Sequence, residues 1–364
     1  MIGIGFDSGG THTTFAYDTG QGPVWPNGNE CSDSISNARG EKSMKAAADW
    51  IAKRILREDD DEICAWIGAA GFSGASAASF RALFEPAVHQ IRKSGKRCAL
   101  LIANDAVSIL KAPPLYGKGV AAIIGTGSVV LGAHPRRTEG VVKRGGAEWL
   151  VSDEGSGVWM TLQCIKLLLA DIYVQGSQDY HSPLLDRLCE HFRVNTEFID
   201  DLPEDYRALA RAEMLARVVA EGQADSKRRL AAFVHPHLFD LAEIRPGKSH
   251  DHIAAQVIAA SVEAIVADVN VVSTALAAYT ADAPNNRERL ELVVGGNIAR
   301  NDIYAKQLLA AISSGCPYIK SVTPVGDAAG LYAQAAWHYL NADGREQQAV
   351  EAEYDPLHPV LKLM

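Results

Sequence analysis

The sequence has no Cys-x-x-Cys pair and no surplus of basic residues, and these absences argue against several classes of protein. Its six cysteines are scattered at Cys31, Cys64, Cys98, Cys164, Cys189 and Cys316. This spacing argues against a zinc site or an iron–sulfur cluster within one chain, so we expect reduced, mostly buried thiols in a cytoplasmic protein. The formal net charge of −9 argues against a groove that binds nucleic acid.

Targeting segments and long apolar runs are also missing. No apolar run approaches the roughly 18–20 residues that span a bilayer, so we expect no membrane partner. The chain enters a predicted strand at once, without a preceding basic segment or cleavage site, and we predict no secretory signal. With 364 residues, 48% of them hydrophobic and 22% charged, the composition is ordinary for a globular protein of two domains.

The stretch from Ile4 to Thr14 reads IGFDSGGTHTT. An apolar strand leads through Asp7 into a glycine turn, which predicts a hairpin whose backbone N–H groups can approach an anion. The candidate phosphate ligands are Gly9, Gly10, Thr11 and Thr13. Asp7, at the strand end, is placed to hold a cation through water. On this stretch alone, an ordinary tight hairpin is the better explanation.

The same pattern returns later in the chain. Val120 to Ile124 reads as an apolar strand, Val129 to Gly132 as its returning partner, and the turn between them is Gly125, Thr126, Gly127 and Ser128. Two such turns, one in each predicted half, suggest a duplicated fold whose turns face each other across a cleft. The repetition favours phosphate binding over two plain hairpins.

The remaining pattern alternates strands and helices, which predicts an α/β fold with mixed sheets. We predict strands at 62–70, 97–103, 290–294 and 318–322, and helices at 42–57, 75–94, 158–169, within 182–239, at 252–279 and from 326 to about 340. Pro113 and Pro114 end the first predicted domain. The predicted domains are 1–114, 115–345 with a helical insertion at about 158–250, and a tail at 346–364. The closing helix at about 326–341 would pack back on the first domain.

Six motifs occur in order: FDSGGTHT, NDA, IIGTGS, GGAEWLVSDEGSG, VVGGN and PVGDAAG. Together they resemble the sugar-kinase/actin/heat-shock-chaperone superfamily, and most closely the BadF-type ATPase and N-acetylglucosamine kinase family with its bacterial glucosamine kinases. The resemblance implies two actin-like (ribonuclease H-like) domains with mixed sheets flanked by helices and an ATP cleft between them. It also implies ATP and Mg²⁺ as cofactors, phosphoryl transfer to the 6-hydroxyl of an amino sugar, and a homodimer.

The resemblance assigns roles to residues near the nucleotide. It implies that both glycine turns hold the phosphates, that Asp7 lies near magnesium, and that Gly295, Gly296 and Asn297 lie beside the adenosine. Asp105 matches the catalytic base, which accepts the proton of the attacking sugar hydroxyl. The alternative for Asp105 is that it caps the helix beginning at Ala106.

The resemblance also implies a sugar site. Asp153 and Glu154 match the acidic loop that binds ring hydroxyls, and further matching positions are Gly146 and Asn37. Asn104 would orient the acid beside it or satisfy a strand end. Where many relatives have Gly-Gly-Trp-Gly, this sequence has Glu148, whose carboxylate would favour a cationic amine over an acetamide unless it points to solvent.

Other functions remain open from the sequence. One is an ATPase that activates a partner dehydratase through a cluster at a subunit interface, and another is a non-catalytic nucleotide-binding protein of this fold. The histidines at 235, 237, 250 and 252 invite a metal site, but their spacing fits a polar loop between helices better.

Overall fold

The computed structural model describes residues 1–9, 12–35, 40–147, 151–178, 180–199, 201–222, 226–243, 250–279, 289–343, 347 and 360–364. These residues form two mixed sheets with helices packed on them. Four residues with predicted roles, Gly10, Thr11, Asn37 and Glu148, lie outside the described residues.

The helices and strands begin and end as follows. The strands are β1 (Ile2–Ser8), β2 (Thr13–Asp18), β3 (Glu30–Cys31), β4 (Glu62–Ala69), β5 (Arg97–Asn104), β6 (Gly119–Ile124), β7 (Ser128–Ala133), β8 (Val142–Gly145), β9 (Leu290–Gly295), β10 (Ile319–Pro324) and β11 (Val360–Leu363). The helices are α1 (Gly40–Arg57), α2 (Ala77–Lys93), α3 (Asp105–Lys111), α4 (Gly157–Gln175), α5 (Pro183–Phe192), α6 (Glu204–Glu221), α7 (Ser226–Phe233), α8 (Phe239–Ala242), α9 (His252–Ala277), α10 (Asp302–Gly315) and α11 (Ala328–Asn341).

The two sheets repeat one topology. The first has the strand order β11-β5-β4-β1-β2-β3, and the second has the order β10-β9-β6-β7-β8. In each, an antiparallel hairpin (β1–β2 or β6–β7) is extended by parallel strands on its other side. Because β3-β2-β1-β4-β5 corresponds to β8-β7-β6-β9-β10, the duplication predicted from the two hairpins is present in the topology.

Alternate residues of β1 face two different layers, as the period of a strand requires. Ile4 and Phe6 pack in a buried core with Ile51 of α1 and Phe80 of α2. The opposite face of the first sheet carries α3 and α11, and its apolar side chains form a second core that also includes residues of β6 and β9. This second core joins the two sheets.

Glycines bring α11 directly onto the first sheet. A Cβ atom on Gly5 would lie 2.0 Å from the carbonyl oxygen of Ala329, and one on Gly68 would lie 2.3 Å from the ring of Tyr332. A larger residue at position 5 would require the helix to move, and one at position 68 would displace the Tyr332 ring. Gly5 therefore marks the close approach of another backbone, and Gly68 makes room for a buried ring.

Most of the predicted elements are confirmed within a few residues, but the strands β3, β8 and β11 were not predicted. The strand β11, which the sequence analysis did not predict, pairs antiparallel with β5. Half of the most apolar 18-residue window of the helix α9 is buried.

Two helices contradict the expectation that no apolar run is long enough to cross a membrane. By length and composition, α4 and α9 qualify, with mean hydropathies of 1.4 and 1.6. However, both contribute many buried side chains to the core of the second sheet. They are core helices in this fold. All six cysteines are free thiols, and five of them are buried, as predicted.

Candidate active site

Two carboxylates lie at the carboxyl ends of β1 and β5, two parallel strands of the first sheet that are separated by β4. Asp7 of β1 is in register with Gly68 of β4, which is in register with Ala103 of β5. Asp105 follows β5 as the first residue of α3, and its charge acts on Asp7, so the two carboxylates are close. Asp7 lies on the face of the sheet that is covered by α11, where ligands of open α/β sheets are bound beyond the strand ends.

A third carboxylate, Asp327, joins them from the start of α11. Its Oδ1 accepts hydrogen bonds from the N–H of Ala329 and from the hydroxyl of Thr14, both at 2.9 Å. The first bond caps the helix, and the second ties the cap to β2. The sequence analysis did not select Asp327 as a site residue, although the motif PVGDAAG contains it. The signal in the sequence that could have identified Asp327 is an acid directly before the closing helix.

The other two carboxylates add to the cost of ionising Asp7. Burial, followed by the charges of Asp327 and Asp105, raises the pKa of Asp7 from 3.8 to about 7. The nearby Arg300 acts in the opposite direction. Because Arg300 ends the short 3₁₀ turn after β9, this interaction crosses from the second sheet to the first. Asp7 therefore faces the cleft between the sheets.

Asp105 faces the same cleft. The N-cap of α3 is Asn104, whose side chain accepts a 3.0 Å hydrogen bond from the N–H of Ala106, while Oδ1 of Asp105 accepts from the same N–H at 2.9 Å. Burial raises the pKa of Asp105, and the N–H of Ala106 and the charge of Lys143 oppose the rise. Lys143 belongs to β8 of the second sheet. The cap position therefore belongs to Asn104, and Asp105 adds a bond within the first turn.

The backbone of Asp105 has a partner of its own. The hydroxyl of Tyr332 on α11 donates a 3.0 Å hydrogen bond to the carbonyl oxygen of Asp105. Tyr332 is fully buried in the space that Gly68 leaves open. This contact fixes the start of α3 relative to α11, and so fixes Asp105 relative to Asp327.

The second sheet brings its two glycine turns together. The turn after β6 is closed by a 2.9 Å bond from the N–H of Gly125 to the carbonyl of Gly127. The carbonyl oxygen of Gly125 also accepts a 2.8 Å hydrogen bond from the N–H of Gly157, which fixes the start of α4 to this turn. Gly296 has a φ of +99°, and a Cβ there would lie 2.4 Å from the carbonyl oxygen of Ile124. Gly295 and Asn297 continue this second turn directly beside the first.

In the described part of the first turn, Thr13 is bonded to neighbouring protein groups. Thr13 is fully buried, and its hydroxyl donates to the carbonyl of Asp33 at 2.9 Å and lies 2.8 Å from the hydroxyl of Ser8. In this structure, the Thr13 side chain therefore points into the protein, toward Asp33 and Ser8. The carbonyl of Gly9 accepts a hydrogen bond from the Ser34 hydroxyl. The roles of Gly9, Gly10, Thr11 and Thr13 toward phosphate remain predictions.

The acidic loop is attached to the turn after β6. Asp153 is buried with a φ of +67°, and it accepts a 2.8 Å hydrogen bond from the N–H of Gly146. A Cβ on Gly127 would lie 2.6 Å from its other carboxylate oxygen, so only glycine leaves room there. Ser128 donates to the carbonyl of Glu154 at 2.8 Å, and the Glu154 side chain is exposed. The loop predicted to bind sugar and the turn predicted to bind phosphate thus form one unit.

A magnesium ion is compatible with the carboxylates that face the cleft. Within the described residues, no three His, Cys, Asp or Glu side chains lie close enough to hold a metal by themselves. Mg²⁺ commonly keeps several waters and is bound through one or two carboxylates plus substrate phosphates, which does not require such a set. Burial, followed by the charges of Asp327 and Asp105, raises the pKa of Asp7, and a divalent cation would offset these negative charges.

Two sheets of the same topology, joined by a shared core and with their strand ends at one cleft, define an actin-like α/β fold. Comparison with solved structures agrees. A candidate N-acetylglucosamine kinase from Porphyromonas gingivalis matches over 93% of this chain and 99% of its own, with a TM-score of 0.59 and 16% identity. A candidate N-acetylglucosamine kinase from Chromobacterium violaceum matches over 92% and 97%, with a TM-score of 0.50 and 17% identity.

These identities show the fold alone. The predicted fold class, two actin-like domains with mixed sheets flanked by helices, is confirmed. No protein-family model and no curated protein matches the chain.

Proposed function

We propose that this protein is an ATP- and magnesium-dependent hexosamine kinase, which transfers the γ-phosphoryl group to the 6-hydroxyl of N-acetylglucosamine or glucosamine. The observation that carries the proposal is the meeting of Asp7, Asp105 and Asp327 at one cleft, opposite the paired glycine turns of the second sheet. The fold shared with two candidate N-acetylglucosamine kinases supports it. A cytoplasmic location fits the proposal.

In this proposal, the oxygen of the sugar hydroxyl attacks the γ-phosphorus, and Asp105 accepts the proton of that hydroxyl. A raised pKa brings a carboxylate closer to the pH at which a general base works best. Most of the remaining catalysis is positioning and charge stabilisation, because phosphoryl transfer requires little covalent chemistry from the protein. Tyr332 holds the backbone of this base, and Lys143 provides a positive charge on the opposite side of the cleft.

The nucleotide would be bound by backbone groups and by Asp7. The turns at Gly125–Ser128 and Gly295–Asn297 present glycine backbone that a phosphate or a planar base can approach closely. When bound, magnesium would neutralise charge on the transferring phosphate. Asp7 would hold it through water, and Asp327 would add to the negative potential that attracts it.

The amino sugar is the proposed acceptor because the acidic loop offers carboxylates near the cleft. Carboxylates accept hydrogen bonds from hydroxyl groups and discriminate against analogues that lack them. Glu154 is exposed there, whereas Asp153 is buried and bonded to Gly146. We therefore assign direct contact to Glu154 and loop support to Asp153.

A coupled ADP-release assay with a panel of hexoses and hexosamines tests the proposal. We expect turnover with N-acetylglucosamine or glucosamine, and D105N should lower kcat by about 100-fold or more while nucleotide affinity is retained. ADP release that is independent of every sugar would contradict a kinase. Near-normal turnover of D105N would remove Asp105 from its role.

The chain offers a matched control for D105N. Asp302 also follows an Asn that caps a helix, since Asn301 accepts the N–H groups of Ile303 and Tyr304 at the start of α10. Asp302 is exposed. D302N should change the helix terminus in the same way and leave turnover unaltered, which separates catalysis from helix capping.

A further inference from the structure

His235 lies in an unusual segment of the helical insertion. Residues Val234–Leu238 form a π-helical turn between α7 and α8, and Pro236 occupies its centre. Turns of this kind are rare and occur frequently at functional sites. From this segment, Nε2 of His235 reaches the carbonyl oxygen of Asn297 at 2.7 Å.

The direction of this hydrogen bond is fixed by its acceptor. A carbonyl oxygen has no proton to give, so Nε2 of His235 must carry the hydrogen and donate it. The same carbonyl accepts the N–H of Arg300 at 3.3 Å, which closes the short turn after Asn297. His235 therefore contributes the shorter of the two bonds to the carbonyl of Asn297, where the Gly295–Asn297 turn meets the short turn that follows it.

The other sides of the turn are held by backbone contacts. Gly296 lies against the carbonyl of Ile124, and the backbone nitrogen of Asn297 is 3.9 Å from the Cβ position of Gly125. The turn thus rests on the end of β6 from one direction. His235 holds it through a side chain from the helical insertion.

The imidazole ring is itself supported. It packs edge-to-face on Phe239, with ring centroids 5.6 Å apart, and Phe239 packs on the buried Tyr304 with centroids 6.2 Å apart. A ring held this way loses little additional freedom when it donates a hydrogen bond, so the geometry is suited to positioning.

We propose that His235 is a positioning residue for nucleotide binding, whose donated hydrogen bond holds the Gly295–Asn297 turn in the conformation that receives the nucleoside part of ATP. The inference rests on the proposed function, because that function places a nucleotide at this turn. It predicts that His235 contributes to nucleotide affinity and leaves sugar affinity unchanged.

Three variants separate the hydrogen bond from the ring. H235F keeps an aromatic ring against Phe239 and removes the donor, whereas H235Q replaces Nε2–H with an amide N–H of similar reach. H237F is the matched control in the same π-helical turn, since the ring of His237 packs on Phe233 and His191.

The measurement is the dissociation constant of a non-hydrolysable ATP analogue with Mg²⁺, determined by isothermal titration calorimetry without sugar. One lost hydrogen bond corresponds to about three- to tenfold weaker binding for H235F. H235Q should recover most of this loss, and H237F should bind like the wild type. The KM for the hexosamine and the midpoint of thermal unfolding should differ little among the variants that fold.

The outcomes distinguish the inference from the proposed function. If the wild type binds the analogue and H235F binds it equally well, His235 has no such role and the kinase proposal stands. A loss in H235F that H235Q does not recover contradicts a role for the donated bond. If the wild type fails to bind the analogue at all, both the proposed function and this inference fail.

Discussion

Replacing Asp7 with Asn should stabilise the protein when neither nucleotide nor magnesium is present. Burial and the charges of Asp327 and Asp105 raise the pKa of Asp7 from 3.8 to about 7. The folded state therefore favours the protonated form, and the stability that this group contributes is present below about pH 4 and is lost as the pH rises toward 7. Asn resembles the protonated acid in shape and stays uncharged as the pH rises, so D7N avoids the cost of ionising a buried group.

The size of the expected gain in the free energy of unfolding follows from the pKa shift of Asp7. Each unit of pKa corresponds to about 1.4 kcal/mol, so a shift of about three units sets a ceiling of about 4 kcal/mol for the gain in D7N above pH 7. The gain should vanish near pH 4, where wild-type Asp7 is protonated in the folded state. Asp105, whose pKa is also raised, can relieve part of the repulsion by taking up a proton itself, which lowers the gain below the ceiling.

The assay is urea unfolding of D7N and wild type in EDTA between pH 4 and pH 8. As a control, D49N changes an exposed acid on α1 and should leave the pH dependence unaltered. A D7N protein that is less stable than wild type at pH 8, or a stability difference that is the same at pH 4 and pH 8, would refute the reasoning. The same substitution should impair magnesium-dependent turnover, as expected for a site that holds costly charge for function.

Further predictions concern the first sheet and the sugar site. G5A should lower the free energy of unfolding by several kcal/mol or prevent folding, because its Cβ would lie 2.0 Å from a carbonyl of α11, whereas G326A has open space and should be tolerated in the same denaturation assay. Y332F should lower kcat more than it changes either KM, because it frees the backbone of Asp105; equal kcat in steady-state kinetics would contradict this positioning role. E148Q should shift the ratio of kcat/KM for glucosamine and N-acetylglucosamine toward the latter, and an unchanged ratio removes Glu148 from substrate selection.

Sequence reasoning succeeded where local pattern is sufficient. Apolar alternation and glycine turns predicted both hairpins, and the repeat of that pattern predicted the shared topology of the sheets. Asp7 was selected because it lies at the end of an apolar strand, whereas Asp105 was selected because it matches the catalytic base of the family that the motifs resemble.

Sequence reasoning failed where a residue's role depends on contacts that are distant along the chain. His235 was interpreted as part of a polar loop, but its role follows from Asn297, which lies 62 residues later. Asp327 joins the acidic site because Thr14 and the glycine face of β1 bring α11 to it. The strand β11 has only a short apolar signal, and its pairing with β5 requires the completed sheet.

The sequence by itself therefore determined the elements, their order and the repeated hairpin, because hydrophobic period and turn chemistry are local properties of the chain. Only the tertiary structure decided which acids meet, which glycines admit a helix and which side chain holds the Gly295–Asn297 turn. These depend on distances between segments, and no local pattern encodes a distance across the fold.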